Sequence, residues 1–205
     1  MKKIILFVAI AMFGFTSVNA QDIPAVIGAD DFTQGWQKGD WLLSGSINYS
    51  SSTQDEDKDN SFAIMPRVAN FVTPNLAIGA EFGYMSSTME FGGSSNSTQE
   101  QNTFMAGPFA YYYCMPEKRF SPYTGLHVNY ESTDFKSSDF KESGFSAELS
   151  IGGNYFLNDD WSMNLSVGAL RYSSVKADFD DAEARNDFGI GVDLKNVWFG
   201  VNRRF

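Results

Sequence analysis

The residues of this 205-residue chain whose types could do chemistry are few: one histidine, one cysteine, two acidic clusters and some isolated charges. His127 could act as a general base only beside a nucleophile. Its neighbours, Asn129 among them, supply none at a recognised spacing, so a hydrogen-bonded interior histidine is expected. Cys114 has no second cysteine to pair with. The run Asp55-Glu56-Asp57-Lys58-Asp59 puts carboxylates at the first, third and fifth positions of a calcium loop. Its sixth position is Asn60 rather than Gly and its twelfth is Pro66 rather than Glu, so a solvated acidic loop is expected. The cluster Asp178, Asp180, Asp181 and Glu183 reads the same way. The chain carries no phosphate loop, no cysteine-based metal site and no basic patch. No catalytic residue, no cofactor, no metal and no nucleic-acid partner is expected.

The elements that would position these residues show themselves best in the last stretch. Val197, Phe199, Val201 and Phe205 alternate with Trp198, Gly200, Asn202 and Arg204. That is a period of two, apolar on one face and mostly polar on the other, as a strand needs when lipid lies outside and a polar interior lies within. Arg203 interrupts the apolar face near the end, where a long side chain reaches headgroups.

The other end of the chain fits a secreted product. Lys2 and Lys3 precede the apolar run Ile4 to Phe15, and Val18-Asn19-Ala20 offers small residues for cleavage. The run is too short to span a bilayer. Residues 1–20 are therefore expected to be a signal peptide, residues 21–40 a polar, periplasmic lead-in and residues 41–205 the membrane-embedded barrel domain. A mean hydropathy of -0.25 and a net charge of -10 look soluble. Alternation dilutes apolar residues with polar ones, however, so neither value excludes a barrel.

Taken in order, Trp41–Tyr49, Phe62–Phe71, Leu76–Tyr84, Phe104–Cys114, Tyr123–Tyr130, Phe145–Tyr155, Trp161–Ala169 and Phe188–Phe205 all alternate. Short turns at Thr73-Pro74-Asn75, Pro116-Glu117-Lys118 and Asn158-Asp159-Asp160 alternate with four long polar loops, Ser50–Ser61, Ser86–Asn102, Glu131–Ser143 and Ser173–Asp187. The expected fold is all-β, an eight-stranded antiparallel up-and-down transmembrane barrel with both termini on the short-turn side. Aromatic residues gather at both strand ends, as headgroup girdles require. Trp41, Phe71, Tyr112, Phe120, Tyr155, Trp161 and Phe205 lie at the short-turn end. Tyr49, Phe62, Tyr84, Phe104, Tyr130, Phe145 and Phe188 lie at the other. Pro66 and Pro108 fall inside strands without a free edge, which calls for local bulges. The apolar parity of the last strand switches between Leu194 and Val197, which calls for another near Lys195-Asn196.

By parity, Arg67, Glu81, His127, Glu148 and Arg204 point inward and form a lumen polar network, since buried charges must find partners. Met105, Phe109, Tyr111, Tyr123 and Trp198 point inward too, so a plugged lumen is expected. The surplus negative charge gathers in the lead-in and the long loops, which also carry Phe91, Phe135, Phe140 and Phe179 as isolated apolar anchors.

Several stretches carry a family resemblance: Gly39-Asp40-Trp41-Leu42-Leu43, Pro66-Arg67-Val68, Phe71 to Gly79, Gly107-Pro108-Phe109, Tyr155 to Asp159 with Trp161, and the terminal Phe205. Over Gly39–Phe205 the chain resembles the small outer-membrane β-barrel family of the OmpA and OmpX type, in its Bacteroidetes and porin-family form. Ala69-Asn70 and Tyr111 stand where that family often has Gly-Tyr and Arg. The resemblance implies a Gram-negative outer membrane, periplasmic termini, a monomer in lipid, and Phe205 as an assembly signal met by the barrel assembly machinery. The expected function is a non-enzymatic structural role, or binding of an extracellular partner by the surface loops. The alternatives are a narrow porin-like channel and an outer-membrane lipid-modifying enzyme. The latter would need a His–Ser pair facing acyl chains or an apolar lumen.

Overall fold

Nine β-strands account for most of the described residues, and they wind in sequence order around one axis. The computed structural model describes residues 32–55, 57–92, 97–138, 140–179, 182–192, 194 and 196–205. The expected signal peptide and residues 21–31 lie outside the described residues. The strands are β1 (Trp41–Gln54), β2 (Asp57–Phe71), β3 (Leu76–Phe91), β4 (Ser97–Tyr113), β5 (Phe120–Phe135), β6 (Phe140–Phe156), β7 (Trp161–Ala177), β8 (Arg185–Ile190) and β9 (Val197–Arg204). Each neighbouring pair is antiparallel. Closure comes from β9, which pairs with β7 on one side and with β1 over Leu42–Ile47 on the other. Trp41 and Phe205 exchange backbone hydrogen bonds of 3.0 Å at the end of that ladder. The result is the closed eight-stranded barrel, with its eighth strand in two pieces, β8 and β9.

Alternation dictates the two surfaces. Leu43, Ile47, Ile64, Val68, Ile78, Phe82, Leu126, Val128, Leu149, Ile151, Leu165, Phe199 and Val201 are all exposed on the outer face. A continuous apolar band of this extent has no place on a water-soluble monomer, and it suits lipid. The inner face buries Ser44, Ser46, Asn48, Arg67, Glu81, His127, Asn129, Ser150, Asn164 and Asn202. Phe71 belongs inside as well. It is completely buried, so it is no part of the girdle, and its odd position opposite to Ile64 and Val68 is the reason.

The four long polar stretches are mostly strand rather than loop. β1 and β2 stay paired out to Gln54 and Asp57, and Asp55 adopts a φ of 54° at the tip. β3 and β4 pair out to Phe91 and Ser97. Ladders that have water on both faces need no apolar alternation, which is why these stretches look like loops in sequence.

The expected bulges at the prolines do not occur. Ile64↔Tyr84 and Arg67↔Glu81 keep one register across Pro66, and Ala106↔Tyr130 and Phe109↔His127 keep one across Pro108. A strand residue's N–H serves only one neighbour, so each proline interrupts one ladder and leaves the other, Gly45↔Pro66 or Ala80↔Pro108, in place.

The parity switch in the last strand is larger than a bulge. Between Ile190 and Val197 the chain uses seven steps while its partner uses three, from Leu170 to Val167. Gly191, with a φ of 144°, lets the chain leave the ladder. Beyond that point, among the described residues, β8 pairs with β7 alone and β1 above Ile47 pairs with β2 alone.

Candidate functional site

The inward side chains fall into layers along the axis. At the centre, Glu81 on β3 accepts hydrogen bonds from Arg67 Nε at 2.7 Å, from Asn129 Nδ2 at 2.7 Å and from His127 Nδ1 at 2.9 Å. Arg67 also donates to Ser46 Oγ at 2.7 Å and lies over the Trp198 ring. Glu81 is 1% exposed, and a buried carboxylate is tolerable only with this many donors. With Glu81 holding the charge opposite Arg67, Nδ1 of His127 carries the proton it donates. On its other side, Nε2 of His127 lies 3.2 Å from Ser150 Oγ.

Ser150, His127 and Glu81 thus stand in the order of a hydrolytic triad, and the sequence reading missed Ser150. Ser150 and His127 are both inward by parity, but their meeting depends on the β5–β6 register, which pairs Gly125 with Ser150 and His127 with Glu148. The rest of a hydrolase site is missing among the described residues. Ser150 is paired on both sides, with Gly125 and Gly168, so the surrounding backbone belongs to the wall rather than to an oxyanion hole. Glu81 is shared with Arg67 and Asn129, and Phe109, Tyr111 and Tyr123 fill the neighbouring space. The arrangement is a hydrogen-bonded polar core in which, among the described residues, Asn129 Oδ1 is left without a partner.

The five expected network residues do not form one network. Arg67, Glu81 and His127 make the central cluster. Glu148 lies toward the hairpin end, 3.6 Å from Arg171, whose guanidinium also reaches Glu131 at 2.7 Å. Glu131 accepts a further hydrogen bond from Ser146. Arg204 sits at the short-turn end, where its Nη1 donates to the carbonyls of Gln34 at 3.1 Å and Gly35 at 2.7 Å.

Those carbonyls belong to a segment that sequence reading treated as a featureless lead-in. Residues 32–40 fold into the short-turn end. Trp36, 2% exposed, stacks on Phe71 at 4.4 Å and packs against Phe156 at 4.9 Å and Tyr113 at 5.8 Å. Its N–H donates to Pro116 O, and that of Gly39 to Phe71 O. Asp159 in a short turn accepts from Thr33 N and Oγ1, both at 2.6 Å, and from Gln34 N at 3.2 Å. These donors, the Thr33 hydroxyl above all, hold the Asp159 carboxyl below its ordinary value. At Gly35 any Cβ would collide with the Pro116 carbonyl. Phe32, Gly35 and Trp36 were the available signal, two aromatics and a glycine in an otherwise polar stretch.

Inward glycines do not leave channels. Tyr111 occupies the space beside Gly125, Tyr123 that beside Gly152, Met65 and Met105 that beside Gly83, and Asn164 that beside Gly200.

A closed up-and-down barrel with an apolar outer band and a filled polar lumen defines the class of small outer-membrane β-barrels. The chain belongs to the outer membrane protein beta-barrel domain family, whose model matches residues 8–195. Among solved structures it is similar to the outer membrane protein OprG from Pseudomonas aeruginosa, with a TM-score of 0.54 and 15% identity over 83% of this chain and 98% of that one. It is also similar to Neisserial surface protein A, with a TM-score of 0.51 and 14% identity over 82% and 98%. At such identities the likeness is one of fold. No curated protein sequence matches the chain. Family and fold place the protein in a bacterial outer membrane.

Proposed function

We propose that the protein is a non-enzymatic monomeric barrel that does not conduct, with its short-turn end in the periplasm and its four hairpins outside. The observation that carries this reading is the stack of closures along the axis. The Trp36 segment, the Phe109–Tyr111–Tyr113–Tyr123 aromatic layer and the Arg67–Glu81–His127 cluster each cross the lumen. Eight strands leave only enough width for side chains, and here the side chains fill it. Planar-bilayer recordings of refolded protein should therefore show no steady ohmic conductance, and conductance of porin size would overturn the reading. Rare, small openings would support the narrow-channel alternative, with the central ion pairs as its gate.

The work of such a barrel falls to its wall and its hairpins. Three of the four expected apolar anchors pack on one another, Phe135 with Phe140 at 5.3 Å and Phe140 with Phe179 at 6.3 Å. They form one aromatic cluster on neighbouring hairpins rather than isolated contacts, and a single clustered patch is the better basis for meeting an extracellular partner. Phe205 supports the assembly-signal role: it is exposed, its backbone closes the β1–β9 ladder, and Arg203 lies over both its ring and that of Trp161. Deleting Phe205 should impair membrane insertion in cells more than refolding in detergent. Normal insertion of the truncated chain would remove that role.

A further inference from the structure

We propose that residues 32–40 form a clasp across the β1–β9 seam, which holds the closed barrel against lateral opening at its short-turn end. This role goes beyond filling the mouth, and it holds whether or not the lumen conducts. The segment runs directly into β1, and Gly39, with a φ of 97°, turns it back over the end of the barrel. Asp40 Oδ2 accepts from Gln37 N at 2.9 Å and Asp40 N donates to Gln37 O at 3.2 Å, so the reversal is itself hydrogen-bonded. On the β1–β2 side the segment is fixed to β2. Gly39 N donates to Phe71 O at 2.8 Å, Phe71 N to Asp40 O at 2.9 Å, and Asn70 Nδ2 to the Gly39 and Asp40 carbonyls at 3.2 Å.

The other end of the segment reaches elements beyond the seam. Arg204 on β9 donates through Nη1 to Gln34 O and Gly35 O, and the same nitrogen lies 3.8 Å from Asp40. Asp159, in the turn between β6 and β7, accepts from Thr33 N, Thr33 Oγ1 and Gln34 N. Phe156 on β6 meets the ring of Trp36 at 4.9 Å and that of Phe32 at 5.2 Å. Five hydrogen bonds and two ring contacts therefore join a segment carried by β1 to the far side of the seam. None of them survives if β1 parts from β9 with the segment attached.

The seam itself is lightly bonded. The Trp41–Phe205 exchange sets the phase of the ladder, so Leu43↔Arg203, Gly45↔Val201 and Ile47↔Phe199 are its other hydrogen-bonded pairs. Beside four such pairs, five further hydrogen bonds are a large addition. Sequence distance fixes when they form. Thr33 and Asp159 are 126 positions apart, and Gly35 and Arg204 are 169 apart. Closing loops of that length costs entropy that is recovered only once the intervening strands are in place, so the clasp docks after β9 has met β1. Gly35 shows how closely it fits. Its Cα faces the Pro116 carbonyl that accepts from Trp36 N, and any Cβ there would collide with that carbonyl.

Gly35→Ala therefore lifts the clasp without altering a residue of the wall, and deletion of residues 32–36 removes it outright. The test measures hydrogen exchange in full-length protein refolded in detergent, with heat-modifiable gel mobility confirming that each variant is folded. The seam amides of residues 43, 45, 201 and 203 should lose protection by at least about tenfold, the worth of one or two net hydrogen bonds, while amides of the β3–β4 ladder keep theirs. A locked seam supplies the control. Ser44 and Asn202 face each other between bonded pairs, where side chains lie closest, so Ser44→Cys with Asn202→Cys in a Cys114→Ser background places a disulfide across the seam. With that bond oxidised, removing the clasp should change seam protection by less than about twofold, and reduction should restore the full loss. Lost protection at residues 36 and 39 with seam amides unchanged would overturn the clasp and leave a plug of the mouth. Equal loss in the seam and in the β3–β4 ladder would overturn it too, as would a loss undiminished by the oxidised disulfide.

Discussion

Replacing Trp36 by Ala should release the segment that closes the short-turn end while leaving the barrel standing. Trp36 is buried against three rings, and truncating a buried tryptophan typically costs about 3–5 kcal/mol. Its indole Nε1 is buried without a hydrogen-bond partner among the described residues, which places the cost at the lower end, since the truncation also removes an unsatisfied donor. What remains holding residues 32–40 is Phe32 against Phe156, the Asp159, Arg204 and Asn70 contacts, and three backbone bonds to Pro116 and Phe71. At about 1.4 kcal/mol per tenfold, docking should weaken by roughly a hundredfold to a thousandfold. Hydrogen exchange reads this directly, because the amides of residues 36 and 39 are bonded to Pro116 O and Phe71 O and exchange only when the segment lifts. Their protection should fall by that factor while amides of the β3–β4 ladder keep theirs. Trp36→Phe, which retains the stacking, should lose far less. Unchanged protection at residues 36 and 39 would refute the anchoring argument. An equal loss throughout the barrel would show that the segment belongs to the barrel's cooperative unit and is no separate closure.

Glu81→Gln should destabilise the barrel to unfolding in detergent by about 3–5 kcal/mol, because Arg67 is left charged and buried. Adding Arg67→Met should recover most of that, and a double variant as unstable as the single one would refute the pairing. Acid should loosen the short-turn end before it touches the barrel. Asp159 is held below its ordinary 3.8 by Thr33, so its contribution to docking is complete above that value and is lost as pH falls through the lower, docked one. Exchange at residues 33–36 should therefore rise below about pH 3.8 and not above it, with Asp159→Asn abolishing the dependence; an unchanged pH profile in that variant would count against Asp159 as the titrating group.

The barrel was legible because its wall obeys one rule. Where lipid lies on one side and a polar lumen on the other, residue type follows parity, and parity placed Arg67, Glu81, His127, Glu148 and Arg204 inside without any knowledge of partners. Partners depend on register across strands, and nothing in a single strand records register. Glu148 therefore belongs with Arg171 rather than with Arg67, and Ser150 is the neighbour His127 lacked in sequence. Where the two environments become alike, parity falls silent. The hairpin extensions, wet on both faces, look like loops. Residues 32–40 enter the lumen without strand geometry, so Trp36 carries no period. The interruption of the last strand was half visible. Phe188, Ile190, Val192 and Leu194 alternate as if the strand continued, and only the switch to Val197 marks it, without indicating how many residues leave the ladder.

The two ends of this barrel solve opposite problems with the same inventory of backbone bonds. At the short-turn end every strand is joined to its neighbour, so closure is limited only by the bore. A single aromatic residue delivered by nine preceding-chain residues, 32–40, fills it. At the hairpin end the ladder to β1 is incomplete, because β9 stops at Val197 and β8 pairs with β7 alone among the described residues. Six pairs, Leu42↔Arg204 to Ile47↔Phe199, together with the Trp41–Phe205 exchange, then carry the whole closure of the seam. That is a short ladder for a membrane wall, and the structure concentrates its reinforcement there. Asn48 caps the top, Arg203 lies over Trp161 and Phe205 at the bottom, and the Asn154, Ser162, Asn164 and Asn202 side chains join the neighbouring strands β6, β7 and β9 along the inner wall by hydrogen bonds of 2.8 and 2.9 Å. Placing rigidity in the lower seam is what allows the upper seam to stay unzipped without the barrel opening along its length.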